Sequence, residues 1–365
     1  MLLYILFTIG AFITSALCGF ISIPFILKFC KERQLYDIPN KRKIHKNAVP
    51  RLGGIAFMPS MMLAFILALI LLNATKEGDK IQINISSLYF MLSIILIYFV
   101  GIIDDIIGLH ATPKFTVQII AACLMPMAFL YINDLYGLFG IWEIPYYISF
   151  PLTVFIIVFI NNAINLIDGI DGLAASISII ALLGFLFLFA QQGVWAYVIL
   201  IAGLIGVLVP YLYYNMFGNS TNKKKIFMGD SGSLTIGFIL GFLFVKYSMD
   251  NPYVMPYRKD GLLLAYTLLI VPCFDVVRVI LIRLYHKKPL FDADKNHIHH
   301  RLMQVGLNQH KTLLIILSLS IFFIIMNMIL NHYIYATYIV IIDAIIYILF
   351  HIVINTMITR KTTTR

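Results

Sequence analysis

Two aspartates, Asp104 and Asp105, stand side by side in GIIDDIIGL (Gly101–Leu109), at the end of an almost uncharged stretch. Adjacent carboxylates repel, and at a helix C-terminus they also face the unfavourable end of the dipole. They call for a positive partner. Mg²⁺ suits the place, because it takes oxygen ligands and shares them with substrate phosphates; the alternative is a solvated pair at the membrane boundary. Lys114 and Gln118 open the next stretch at i, i+4 and so share one helical face. A third carboxylate, Asp230, lies in KKKIFMGDSGSL (Lys223–Leu234), between Gly229 and Ser231. A Gly/Ser turn there could offer N–H groups to an anion and a carboxylate to a metal, or could simply cap the following helix.

NNAINLIDGIDGLA (Asn161–Ala174) repeats polar residues every third position: Asn162, Asn165, Asp168 and Asp171. If helical, they form a drifting polar stripe; alternatively Gly169 and Gly172 break the helix and turn the carboxylates toward one site. Either way, each Asn or Asp needs a polar partner in an apolar surround. DADKNHIHHRL (Asp292–Leu302) gathers His297, His299, His300 and Arg301. Histidines can hold zinc, but the accompanying carboxylates and the lack of paired thiolates suit Mg²⁺ or Mn²⁺ better. The histidines therefore read mainly as phosphate contacts. A basic loop, YDIPNKRKIHKNAVPRLGG (Tyr36–Gly54), carries Lys41, Arg42, Lys43, His45, Lys46 and Arg51 between Pro39 and the Gly53–Gly54 pair. It would anchor the chain at a membrane surface, and it could also clamp a phosphate-bearing ligand through its arginines. Asp275 and Arg278 form an i, i+3 pair inside an apolar stretch, as a structural ion pair or a pore element. Asp134 and Asp343 suggest no functional role.

The elements that must position these residues are membrane helices. Of 365 residues, 61% are hydrophobic and 12% charged, against roughly 45–50% and 25% in soluble proteins. That excludes an ordinary soluble domain and a disordered chain. Stretches long enough to span, about 20 residues each, fall near 4–27, 52–73, 87–103, 114–132, 147–164, 173–190, 194–215, 232–248, 260–282, 312–330 and 334–356. The expected architecture is one all-α, polytopic transmembrane domain over 1–365 with about eleven helices. Its polar loops lie near 28–51, 104–114, 165–172, 216–231 and 283–311. The N-terminus lacks a positive n-region, so a cleaved signal peptide is not expected. The net charge of +10 would suggest nucleic acid in a soluble chain. Here 22 of the 27 Lys and Arg residues fall on one set of loops, leaving Lys76, Lys80, Lys246, Arg258 and Lys259 on the other. The richer side reads as cytoplasmic, with the N-terminus outside and the C-terminus inside. No nucleic-acid partner is expected. Cys18, Cys30, Cys123 and Cys273 are scattered and form no CxxC, which argues against disulfides and thiolate metal sites.

Five motifs, DIPNKRKIHKNAVPRLGG, GIIDDIIGL, NLIDGIDGLA, FMGDSGSL and HIHH, occur in this order and on one inferred side, from Asp37 to about Leu302. On them the chain resembles the polyprenyl-phosphate N-acetylhexosamine-1-phosphate transferases, glycosyltransferase family 4. Within that family it looks like the bacterial UDP-GlcNAc:undecaprenyl-phosphate GlcNAc-1-phosphate transferases. The resemblance implies a multi-pass protein of the cytoplasmic membrane, with its active site facing the cytoplasm. The implied substrates are a UDP-N-acetylhexosamine and undecaprenyl phosphate, and the cofactor Mg²⁺, with Mn²⁺ a possible substitute. UMP would leave, and the lipid diphosphate product would start a cell-envelope polysaccharide such as O-antigen. It leaves room for a homodimer. Asp230 would ligate the metal, with Asp104 and Asp105 at the metal and the acceptor phosphate. An aspartate of that pair could act as a base. A phosphate monoester, however, already carries substantial negative charge near neutral pH and can attack directly. Lys114 would hold the phosphates. Asn165 and Asp168 would position the uridine diphosphate, with Asp171 in support. His297, His299, His300 and Arg301 would contact sugar or diphosphate.

Two other readings compete. The related phospho-N-acetylmuramoyl-pentapeptide transferases usually carry three consecutive histidines where this chain has HIHH, and the PNKRKIH and PRLGG segments are typical of the simple-hexosamine branch. A transporter would need polar residues forming a path through the spans, whereas most charges here collect at their ends.

Overall fold

A computed structural model describes the chain except residues 38–47, 76–83, 219–223, 254, 290–294 and 364–365. The expectations for Arg42, Lys43 and His45 lie outside the described residues. The architecture is all-α and polytopic, as the composition requires. Helix α1 runs over Leu2–Glu32, α2 over Phe57–Ala74, α3 over Ile85–Ile107, α4 over Ala111–Met127 and α5 over Tyr146–Ile167. They are followed by α6 (Leu173–Gln191), α7 (Trp195–Met216), α8 (Gly229–Ser248), α9 (Gly261–Thr267) and α10 (Ile270–Tyr285). Helices α11 (Ile298–Val305), α12 (Gln309–Leu330) and α13 (Ala336–Thr363) complete the chain. Two short antiparallel pairs, Tyr36–Asp37 with Val49–Pro50 and Asp134–Leu138 with Ile141–Glu143, lie between helices.

Among the described residues, nine helices are long and apolar enough to cross a membrane. The expected span at 260–282 is instead a pair, α9 and α10, bent by 76°. Counted as one span, the pair makes ten. The expected span at 114–132 is α4, only 17 residues long and so about 26 Å, a little short of the roughly 30 Å hydrocarbon core. Its last turn holds Pro126, and the chain leaves the helix at Ala128.

Helix α8 is the axis of the bundle, and every residue from Ser231 to Ser248 is buried. It packs against α3, α5, α6, α9 and the segment before α2. Its small residues make that position available. A Cβ at Gly237 would lie 2.8 Å from the Cα of Asn161, so α5 approaches backbone to backbone, as small-residue faces allow in membranes. The outer helices keep large apolar side chains exposed, including Phe25 on α1 and Phe155 on α5, consistent with a lipid-facing rim.

Candidate active site

The motifs meet around the first turn of α8. That turn is held by neighbours rather than by its own cap residue, for Met228 makes no side-chain cap. Asp105, at the end of α3, accepts from the backbone N–H of Asp230 at 2.8 Å (Oδ1) and of Ser231 at 2.9 Å (Oδ2). A carboxylate on the positive end of a helix satisfies two otherwise orphaned donors. Gly229 adopts φ +73° there, and a Cβ on it would stand 2.4 Å from Asp105 Oδ2. The PRLGG segment is strapped to the same place. Gly53 N–H donates to Phe227 O at 2.9 Å, Gly54 N–H to Met228 O at 2.8 Å, and Phe227 N–H returns to Pro50 O at 2.8 Å. Arg51 pairs through its backbone with Phe227, and its buried Nε has no hydrogen-bond partner among the described residues.

Asp104 faces the other way. Its Oδ1 accepts from Leu109 N–H at 2.7 Å, and its Oδ2 receives Lys114 Nζ at 3.2 Å. The same ammonium donates to Asp230 Oδ2 at 2.5 Å. Asp230 Oδ1 accepts from Asn165 Nδ2 at 3.0 Å, and Asn165 also reaches Ser233 Oγ at 2.8 Å. Asp104, Lys114, Asn165 and Asp230 therefore form one polar knot drawn from α3, α4, α5 and α8. Gln118, one turn beyond Lys114, accepts from Asn162 Nδ2 at 2.7 Å.

The NLIDGIDG segment resolves as a helix break. Helix α5 stops at Ile167, Asp168 is its C-cap, and the next helix starts at Leu173. Asp168 is half-buried. Burial, with Asp230, Asp171 and Asp105 nearby, pushes its carboxyl up to about 7. Asp171 is salt-bridged to Lys225 at 2.5 Å. Asn215 accepts from Gly172 N–H at 2.6 Å and donates to Ile226 O at 2.8 Å, tying this turn to the segment that leads into α8. Neither Asn215 nor Lys225 stands out in the sequence, because their partners are remote along the chain.

The histidines come from the short helix α11. His297 is its N-cap residue, outside the helix, with Nδ1 at 2.8 Å from Asp275 Oδ2. Asp275 also accepts from Ile298 N–H at 2.9 Å and from Arg278 Nη2 at 2.8 Å. The Asp275–Arg278 pair is thus structural, and it orients His297 as well. His299 stacks parallel to His297, with ring centroids 6.0 Å apart, and touches His300 at 4.2 Å. His299 is buried, and burial with the neighbouring His300 lowers its imidazole to about 3, which favours the neutral ring. Arg301 does not join the histidines. One residue further around α11, its guanidinium turns toward α13 and bonds Asn355 and Gln304.

Lys114, Asn165, Gly169, His297, His299 and His300 line one cavity of about 880 Å³. Its far part is apolar, with Ile119 and Cys123 from α4, Pro151 and Phe155 from α5, and Val276 and Ile280 from α10. From Asn165 back to Phe150 the cavity follows α5 for about 22 Å at 1.5 Å per residue. Arg283, buried on the α10 wall, is a further cationic residue of the cavity, and no motif marks it in the sequence.

Whether these residues suit a divalent cation can be judged from the donors. Among the described residues, no group of three or more His, Cys, Asp or Glu is arranged as a metal cage. Asp105, expected as a ligand, spends both oxygens on the α8 cap. Asp104 and Asp230 remain, and they already share one cation, the Lys114 ammonium. Two carboxylates completed by phosphate oxygens and water are what Mg²⁺ commonly takes, so the pair fits.

The glycosyl transferase family 4 model matches residues 87–248. A probable undecaprenyl-phosphate N-acetylglucosaminyl 1-phosphate transferase of Bacillus subtilis (strain 168) is 31% identical over 326 residues, 88% of this chain and 84% of that protein. The undecaprenyl-phosphate alpha-N-acetylglucosaminyl 1-phosphate transferase of Yersinia pestis is 28% identical, covering 77% of this chain and 73% of its own length. Its counterpart in Escherichia coli (strain K12) is also 28% identical, covering 80% and 75%.

Proposed function

The chain belongs to glycosyl transferase family 4, and on that premise we propose that it transfers GlcNAc-1-phosphate from UDP-GlcNAc to undecaprenyl phosphate at the cytoplasmic face of the cell membrane. The observation that carries this reading is the single Lys114 ammonium between Asp104 and Asp230 at the polar end of a long, largely apolar cavity. A charged end suits phosphates, and an apolar tail suits a polyprenyl chain.

An oxygen of the lipid phosphate attacks the phosphorus that bears the sugar. The bond from that phosphorus to the bridging oxygen breaks, and UMP leaves with the electron pair. Lys114 holds phosphate oxygens and offsets the charge that develops on them. Asn165 fixes the Asp230 carboxylate, and Asp105 fixes the turn that carries it. His297, with Nδ1 engaged by Asp275, presents Nε2 as its free ring nitrogen; such a carboxylate partner sets tautomer and orientation. His299, being neutral, serves as a hydrogen-bonding and stacking group rather than a cation. Asp104 and Asp230 would hold Mg²⁺, which neutralises the diphosphate when bound. The lipid diphosphate product would start assembly of a cell-envelope polysaccharide.

The test is a donor panel. Purified enzyme is given undecaprenyl phosphate with UDP-GlcNAc, UDP-GalNAc or UDP-N-acetylmuramoyl-pentapeptide, with and without Mg²⁺, and the lipid product is weighed by mass spectrometry. A GlcNAc-diphospholipid formed only with Mg²⁺ supports the reading. Product from the pentapeptide donor alone, or from none, contradicts it.

A further inference from the structure

A second cavity, of about 400 Å³, lies between α10 and α13, and none of the described motif aspartates lines it. Its walls are apolar, and four of them, Val277, Leu281, Ile348 and Ile352, are 42–59% exposed. It therefore opens sideways, toward where lipid would lie. At its polar end sit Arg278, Arg301, His351 and Asn355, and among the described residues no carboxylate lines it. The charge of Arg278 is answered behind it by Asp275 at 2.8 Å. That of Arg301 is not: among the described residues its guanidinium bonds only the amide oxygens of Gln304 and Asn355. His351 is buried, and neither of its ring nitrogens has a hydrogen-bond partner among the described residues. A buried imidazole without a partner is costly, and an anion held by the more exposed guanidinium beside it would relieve it.

The depth agrees. Arg278 precedes the end of α10 at Tyr285 by seven residues, and Asn355 precedes the end of α13 at Thr363 by eight. At 1.5 Å per residue both lie about 10–12 Å from the helix ends, so the polar groups gather toward one end of the helix pair. Basic pockets between membrane helices on the cytoplasmic side are recognised sites for anionic headgroups. Arg301 follows the histidines directly in sequence yet faces away from the transfer cavity.

We propose that this cavity binds an anionic phospholipid, with its phosphodiester held by Arg301 and His351 and an acyl chain lying along Val277, Leu281, Ile348 and Ile352. The site is separate from the acceptor's and does not depend on the transfer reaction.

Native mass spectrometry tests it, on the full chain released from nanodiscs of equimolar phosphatidylglycerol and phosphatidylcholine. Wild type should retain one phosphatidylglycerol in preference to phosphatidylcholine. Arg301→Gln removes the charge, and Ala344→Phe fills the cavity while leaving every cation. Each should retain phosphatidylglycerol about tenfold less, the scale of one charge-assisted hydrogen bond. Equal retention in all three proteins, or equal retention of phosphatidylcholine, overturns the proposal. So does displacement by equimolar undecaprenyl phosphate, which would make the cavity the acceptor's. Binding of inorganic phosphate to lipid-free protein with the same variant sensitivity would also contradict it.

Discussion

The imidazole of His299 lies against the backbone of Gly169, so closely that a Cβ at position 169 would stand 2.0 Å from Nε2. This contact joins the turn after α5 to the histidine helix across 130 residues of chain. Gly169→Ala should therefore push α11 away from Asn165 and Lys114. Overpacking of this kind costs about 1–3 kcal/mol, and the larger effect should be on turnover. A variant with near-normal activity in detergent-solubilised enzyme would show that the two segments need not touch during transfer.

The adjacent aspartates should separate in their phenotypes. Asp105→Asn replaces an acceptor with a donor at the α8 cap, leaving a buried N–H short of a partner at about 1–3 kcal/mol. Its melting temperature should fall along with its activity. Asp104→Asn keeps an acceptor for Leu109 N–H and should melt within a degree or two of wild type, while losing at least about a hundredfold in rate. Differential scanning fluorimetry beside an activity assay distinguishes them; identical melting losses would contradict the division of roles.

Lys114→Met takes away the cation shared by Asp104 and Asp230 and leaves two carboxylates facing each other. Metal-free protein should lose stability. Added Mg²⁺ should raise its melting temperature more than it raises that of wild type, since a ligand that binds only the folded state stabilises in proportion to its occupancy. An equal Mg²⁺ shift in both proteins would remove Asp104 and Asp230 as its ligands.

Asp168 gives a pH signature. Its carboxyl is raised to about 7 in the fold but titrates near 3.9 when unfolded. The unfolded chain releases the proton first, so this group costs stability as pH rises from about 4 toward 7, and most above that. Asp168→Asn should thus melt like wild type at about pH 4 and higher than wild type at about pH 8 in metal-free buffer. A constant offset across that range would contradict the shift.

Membrane class and most of the site are legible in the sequence because charge is scarce. In an apolar chain, Asp104, Asn165, Asp168 and Asp230 are conspicuous, since each must find a partner or a function. What spacing does not reveal is which oxygen faces which element. Asp104 and Asp105 read as equivalent, yet one caps α8 from a distance of 125 residues and the other meets Lys114. Asn215 and Lys225 are ordinary polar residues until the fold brings them to Gly172 and Asp171. Arg301 reads as part of the histidine cluster by adjacency. The helical turn instead carries it to α13, because successive residues on a helix point about 100° apart. The bend between α9 and α10 is equally hidden, since a broken span and a straight one have the same hydropathy.

The proposed reaction is attack by a lipid phosphate on the sugar-bearing phosphorus of a UDP-sugar. The most direct measurement is UMP release by purified enzyme, with UDP-GlcNAc and Mg²⁺, before and after undecaprenyl phosphate is added. UMP should appear only with the acceptor, one per lipid diphosphate formed, and Asp230→Asn should abolish both. Release of UDP in place of UMP, or UMP release that ignores the acceptor, would contradict it.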